Sequence, residues 1–175
     1  MSLRLSRDSR RAIFDTRRRK SMTNTNANGR SWRRAIGIGV VIAVITAIVM
    51  LALTAAGASP FPKPPSLAFA ETLLGRSLPL PVGLLFHAAY VTFWAVIFVR
   101  YFSRRDLTTA LALAGALWLV ILVVFFPFVG WGLAGFNVGP KLIPASFVPH
   151  LVFGLLLWGL DKYLPHKALR TSHSS

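Results

Sequence analysis

The chain of 175 residues contains no cysteine. It can therefore form no disulfide, thiol nucleophile, CxxC redox pair or thiolate metal site, and protein classes that depend on these groups are excluded. Charged residues are also scarce, at 14% of the chain, whereas soluble domains average about 25%. Hydrophobic residues make up 54%. This balance indicates a membrane protein with one compact unit.

Acidic residues are the rarest charged type, with 5 Asp and Glu against 20 Lys and Arg. Glu71 and Asp161 lie at the edges of apolar runs, and no acid lies in the middle of one. A small proton-coupled multidrug exporter needs a carboxylate within the membrane, so this class is disfavoured. The chain has no HExxH motif, no serine with suitable His and Asp partners and no selectivity-filter sequence. We therefore expect no catalytic activity of its own.

Four apolar runs are each long enough to cross a bilayer, which takes about 20 residues in a helix. They predict spans over residues 35–56, 81–102, 107–128 and 142–163. The expected fold class is all-α, an integral membrane four-helix bundle whose transmembrane domain covers residues 35–163. The first loop is predicted to contain a short interfacial helix over Ser66 to Leu74, which Gly75 ends. Asp106 or Thr108 can cap the third span.

The remaining segments are two basic tails, residues 1–34 and 164–175. Residues 1–34 hold eleven of the twenty Lys and Arg and few apolar residues, so we expect disorder there. Met22 is a plausible alternative start, and residues 1–21 should be dispensable for insertion.

A net charge of +15 would suggest nucleic acid in a soluble protein. Membrane topology explains the charge more simply, so the expected partner is the lipid bilayer and no nucleic acid.

The distribution of Lys and Arg predicts the orientation. The tails and the 100–106 loop hold seventeen of these residues, whereas the two opposite loops hold three, namely Lys63, Arg76 and Lys141. Without residues 1–21 the ratio is still nine to three. The positive-inside rule therefore places both termini in the cytoplasm, and we expect a multi-pass protein of the bacterial cytoplasmic (inner) membrane.

Two spans carry a histidine at the same distance from a proline. Pro81 stands six residues before His87, and Pro144 stands six residues before His150. Aligning these pairs also matches Tyr90 with Phe153 and Trp94 with Leu157. Spans one and three are both rich in small residues, so the pattern suggests two tandem helical-hairpin repeats that bring the histidines to one depth.

The two histidines are the candidate binding residues, because an ionisable group within a membrane span suggests a functional site. His87 shares a helix face with Tyr90 and Trp94, which we expect to line such a site. A facing imidazole pair suits haem b, a transition metal, or the handling of quinone or protons. The alternative is structural, in which each histidine donates to a backbone carbonyl or a neighbouring hydroxyl and specifies packing.

The chain resembles small four-span bacterial inner-membrane proteins of uncharacterised families in its hydropathy, its length and the segment Pro149-His150-Leu151-Val152-Phe153-Gly154. This resemblance implies no particular activity. The sequence leaves two functional hypotheses open. The first is a structural or accessory subunit of a larger membrane complex. The second is a haem or metal carrier, or a quinone or proton site, that uses His87 and His150.

The predicted orientation can be tested by cysteine labelling, because the native chain offers no background thiol. Single cysteines that replace Ser66 or Asn137 should react with an impermeant maleimide in intact cells. Cysteines that replace Ser103 or Ser172 should react only after the membrane is broken. The reverse pattern of labelling would show that the orientation is inverted.

Overall fold

The computed structural model describes residues 32–164. Over this range it is helical, without β-strands. Four helices are long and apolar enough to cross a membrane: α1 (Trp32–Ala55), α3 (Leu80–Tyr101), α4 (Leu107–Phe128) and α5 (Leu142–Tyr163). A shorter helix, α2 (Pro65–Leu74), lies between α1 and α3, and a 3-10 turn (Leu133–Gly135) lies between α4 and α5.

The all-helical prediction is confirmed over these residues, and the helix bounds lie close to the expected spans. The third and fourth long helices begin and end at the predicted residues, and α3 lies one residue earlier than predicted. Helix α1 begins at Trp32, so the last three residues of the predicted tail form its first turn. The expected disorder of residues 1–31, and the short tail from residue 165, lie outside the described residues.

The helix ends follow from local chemistry. Gly75 ends α2 with a φ of 65°, a left-handed conformation that costs glycine little because it has no Cβ. Asp106 caps α4, where its carboxylate accepts from the N–H of Thr109 at 2.8 Å. Helix α2 begins one residue before the predicted Ser66, because Pro65 at its first position has a φ already suited to a helix.

Ion pairs and cation–π contacts gather the helix ends at one end of the bundle. Arg34, at the start of α1, donates to the carboxylate of Asp161 at 2.7 Å and to its carbonyl at 2.6 Å, near the end of α5. Arg105 lies 3.6 Å from the same carboxylate, and Arg100 of α3 lies over the ring of Trp32. We call this the terminal end, and the opposite end the distal end. The four long helices therefore alternate in direction.

The terminal half of the bundle is closely packed. All four long helices contribute to one buried core there, which includes Ile38, Ile42, Ala95, Phe98, Ala110, Ala114, Phe153 and Leu157. Two contacts between small residues bring the backbones close. A Cβ on Gly39 of α1 would lie 2.7 Å from the Cα of Thr92 in α3. A Cβ on Gly154 of α5 would lie 3.0 Å from the Cβ of Ala114 in α4.

The distal half is closed by aromatic side chains that α2 and the loops supply. Phe69 of α2 stacks on Phe125 of α4 with ring centroids 5.5 Å apart. Phe61 stacks on Trp131, which packs in turn against Phe126. A second, smaller core lies around these rings. Helix α2 thus joins the beginning of α3 to the end of α4 and covers the space between them.

The glycine contact between α1 and α3 gives a matched pair of variants. Gly39→Ala should lower the free energy of unfolding by about 1–3 kcal/mol, because the added methyl group has to push Thr92 away. Gly37→Ala, two residues earlier with nothing within 4 Å, should raise it by about 0.5–1 kcal/mol. Titration with sodium dodecyl sulfate in mixed micelles measures both values. Equal effects of the two substitutions would contradict the close approach of α1 and α3.

Candidate functional site

A cavity of about 850 Å³ lies between the helices in the distal half. All five helices contribute to its lining. His87 and Tyr90 come from α3, His150 from α5, Thr46 from α1 and Phe69 from α2, while α4 supplies an apolar wall. A second cavity of about 290 Å³ adjoins it, since Thr46, Met50 and Pro149 line both. The two predicted histidines therefore line one space, whose volume is typical of sites for small molecules.

Helix α4 is irregular where it lines the cavity. Residues Ile121–Phe125 form a π-helical turn, in which the N–H of Phe126 donates to the carbonyl of Ile121. Pro127 explains the turn, because it has no N–H to donate to the carbonyl of Val123 and its ring crowds the preceding turn. Ile121, Val124 and Phe125 line the cavity. Single π turns within α-helices are frequent at functional sites.

His87 is held by a hydrogen bond from α3 to α1. Its Nε2 lies 2.9 Å from Oγ1 of Thr46. The same Oγ1 lies 2.8 Å from the carbonyl oxygen of Ile42, one turn earlier in α1. Two oxygens this close need a hydrogen between them, so the hydroxyl of Thr46 donates to the carbonyl. The hydroxyl oxygen is then an acceptor for His87, and the imidazole carries its proton on Nε2.

His150 is held within its own helix. Its Nδ1 donates to the carbonyl of Ser146 at 2.7 Å. The hydroxyl of Ser146 donates to the carbonyl of Ile143 and accepts from Nε1 of Trp118 in α4 at 3.2 Å. Pro149 lies inside this turn and has no N–H to donate to the carbonyl of Ala145. The network therefore fixes the ring of His150 and joins α5 to α4.

The other two predicted residues differ in their surroundings. Tyr90 lines the cavity but has 39% of its surface exposed. Trp94 packs against the core of the terminal half and contacts the Tyr90 ring edge-on at 6.5 Å. The residues aligned with them, Phe153 and Leu157, are buried, Phe153 with only 6% exposed. Phe153 nevertheless lines the same cavity as Tyr90, and Leu157 belongs to the core against which Trp94 packs, so the aligned positions differ in depth of burial and not in surroundings. The tandem repeat stays a prediction.

The covering helix α2 is anchored by Glu71. Its carboxylate accepts from Lys63 at 2.6 Å and from the N–H of Leu78 at 3.1 Å, which ties the two loops beside α2 to the helix. These two hydrogen bonds hold the pKa of Glu71 below its ordinary value, and the bond from Lys63 has the larger effect. Because the folded pKa is lowered, the carboxylate keeps its charge at neutral pH, and the anchor weakens only as the pH falls through that pKa.

The described residues contain few groups that could bind a metal or an anionic cofactor at the cavity. Across residues 32–164, no group of three or more His, Cys, Asp and Glu side chains is placed to hold a metal ion. Among these same residues, none of the Lys or Arg side chains lines the cavity. The polar groups of the lining are imidazoles and hydroxyls, and most of its surface is aliphatic or aromatic.

Sequence reasoning missed Thr46, Ser146 and Trp118, which orient the two histidines. The spacing of residues in the sequence indicated a role for two of them, Ser146 and Thr46. Ser146 stands four residues before His150, so the two share a helix face. Thr46 stands seven residues after Gly39, on the small-residue face that packs against α3. No pattern in the sequence pairs Trp118 with α5.

No family model, no curated protein and no solved structure matches the chain. The resemblance to uncharacterised four-span proteins therefore stays a prediction, and the geometry of the cavity is the basis for proposing a function.

The hydrogen bond between Thr46 and His87 can be tested against a matched threonine. Thr46→Val keeps the side-chain shape and should lower the free energy of unfolding by about 1 kcal/mol, since His87 loses its acceptor in apolar surroundings. Thr54, two turns later in α1, bonds only the carbonyl of Met50 and is exposed. Thr54→Val should change stability by less than half as much. A larger loss for Thr54→Val would contradict the assigned role of Thr46.

Proposed function

We propose that the protein is a multi-pass four-helix bundle of the bacterial cytoplasmic membrane that binds an apolar small molecule in the cavity between its helices. It has no catalytic activity of its own in this proposal. The observation that carries it is the convergence of His87 and His150, from two different helices, on one apolar cavity of about 850 Å³. Convergent polar groups in a large apolar pocket are the usual features of a ligand site.

The surroundings of the two imidazoles also support binding. Each ring uses one nitrogen to hold its orientation, through Thr46 for His87 and through Ser146 for His150. Among residues 32–164, the second nitrogen of each ring makes no hydrogen bond of ordinary geometry, although the His87 ring also lies near the backbone carbonyl of Ala43. Neither nitrogen is among the buried polar atoms without a hydrogen bond, so both are accessible. A purely structural histidine needs no such accessible nitrogen beside a cavity.

A haem or metal carrier, the alternative that the sequence left open, fits these residues only in part. The bond from Nδ1 of His150 to a carbonyl is the arrangement that orients a histidine to ligate through Nε2. Nε2 of His87, however, is held by Thr46. Within residues 32–164 no cation lines the cavity to balance the propionates of a haem. We therefore favour an uncharged organic ligand over haem b or a transition metal.

A second candidate function is that of an accessory subunit in a larger membrane complex. It is favoured by the outward surface of α4, where Thr108, Ala112 and Ala116 form an exposed row at intervals of four residues. Rows of small residues allow another transmembrane helix to approach closely. Ala112→Leu should then release a copurifying membrane subunit, as measured by mass spectrometry of gently solubilised complexes. Val44→Leu enlarges an exposed residue on α1, away from this row, and should retain the subunit.

The ligand proposal is tested by filling the cavity. Val124 and Val123 are neighbours on α4 with similar exposure, but only Val124 lines the cavity. Val124→Trp should abolish retention of the apolar molecule that copurifies with the native protein, and Val123→Trp should preserve it. Solvent extraction followed by mass spectrometry measures retention, and an absorption spectrum detects haem. Equal retention by both variants, or a Soret band in the native protein, would contradict the proposal.

A further inference from the structure

The ring nitrogen that carries the hydrogen in each histidine determines whether the cavity offers a ligand donors or acceptors. We infer that the ligand is an apolar molecule bearing hydroxyl donors, specifically a membrane-soluble quinol, and that its hydroxyls donate to Nδ1 of His87 and Nε2 of His150. This inference rests on the proposed ligand site and adds the chemical class of the ligand. It follows from the positions of donors and acceptors.

The first acceptor is on His87. The single hydroxyl hydrogen of Thr46 is used by the carbonyl of Ile42 at 2.8 Å. Nε2 of His87, at 2.9 Å from the same oxygen, must then supply the hydrogen of that second contact. A neutral imidazole carries one hydrogen, so its Nδ1 is left with a lone pair. His87 therefore offers the cavity an acceptor.

The second acceptor is on His150, where the position of the ring hydrogen follows from a single contact. A carbonyl oxygen can only accept, so the contact of 2.7 Å to Ser146 places the hydrogen on Nδ1. The lone pair of the neutral ring is then on Nε2. The hydroxyl and indole groups nearby cannot reverse this, because Trp118 and the hydroxyl of Ser146 already bond to each other and to Ile143.

Two accessible acceptors in an apolar space require donors from the ligand. A quinone has carbonyl acceptors alone and would leave both imidazole nitrogens without a partner. A quinol has the same apolar ring and carries a hydroxyl on each side of it. Anionic ligands are disfavoured, because no Lys or Arg of the described residues 32–164 lines the cavity. A quinol therefore satisfies the acceptors and matches the aromatic lining.

The aromatic lining suits a flat ring. Phe69, Phe86 and Phe125 line the cavity, and Phe69 stacks on Phe125 and tilts against Phe86. Aromatic side chains in this arrangement favour offset stacking or edge-on contact with a further ring. The cavity is partly open and not fully enclosed, which leaves a way for an isoprenoid chain to extend out of it among lipid chains.

The test compares three probes of nearly the same shape with the full chain in phosphatidylcholine nanodiscs under argon. The probes are decylubiquinol, decylubiquinone and the dimethyl ether of the quinol, which keeps the ring but has no donor. Empty nanodiscs correct for partition into lipid. The quinol should bind about tenfold more tightly than either of the other probes, which corresponds to one well-formed hydrogen bond that they cannot make.

Variants assign the preference to the acceptor nitrogen. His150→Phe should reduce the preference for the quinol, and His150→Gln should retain part of it through the amide oxygen. Trp158→Phe changes an aromatic residue of the same helix that packs against the core of the terminal half and does not line the cavity, so it should leave the preference unchanged. A loss of preference in Trp158→Phe equal to that in His150→Phe would overturn the role of Nε2 and indicate a structural effect.

The outcomes separate this inference from the proposed function. If all three probes bind equally and Val124→Trp abolishes their binding, the ligand site is supported and the donor assignment is overturned. Tighter binding of the quinone would also overturn it. Absence of binding by every probe to the native protein would overturn the quinol assignment alone, because the ligand site is tested separately by retention of the copurifying molecule in Val124→Trp and Val123→Trp.

Discussion

Polar side chains within long apolar helices have to find their partners inside the protein, because hydrocarbon offers none. In this chain the constraint is met by two short networks. Thr46 accepts from His87 and joins α1 to α3, while Ser146 accepts from His150 and from Trp118 and joins α5 to α4. Each network satisfies one nitrogen of an imidazole and fixes the ring. The proposed ligand site depends on the remaining nitrogen of each ring.

The distribution of side-chain size explains why the cavity lies in the distal half. In the terminal half, Gly39 and Gly154 let the backbones of each helix pair approach closely, and the buried core there includes all four long helices. The pair of Arg34 with Asp161 adds a bond between the first and the last helix at that end. Further along, Pro127 follows the π turn of α4 and Pro149 lies inside α5, and both are next to residues that line the cavity. The covering helix α2 then closes the space with aromatic rings.

The sequence predicted the helices well because their signals are local. Apolar length, the proline at a helix start, Gly75 after α2 and the Asp106 cap each depend on a few neighbouring residues. The rotation of each helix about its axis is not local, since it depends on which faces pack together. Periodicity therefore placed His87, Tyr90 and Trp94 on one face, but could not tell that Trp94 packs on the core while Tyr90 is partly exposed. The π turn and the partnership of Trp118 with Ser146 arise only once the helices are packed.

A cavity of this size is costly unless something fills it, because lining atoms without neighbours lose their dispersion contacts. Because this cavity is partly open, lipid chains as well as a ligand can enter it. In a bilayer a lipid chain can supply the missing contacts but cannot satisfy the two imidazole nitrogens. A ligand with hydroxyl groups supplies both, so it gains affinity over lipid from the acceptors. In the proposed site, the polar groups select which molecule binds, and apolar contacts with the lining supply the rest of its affinity.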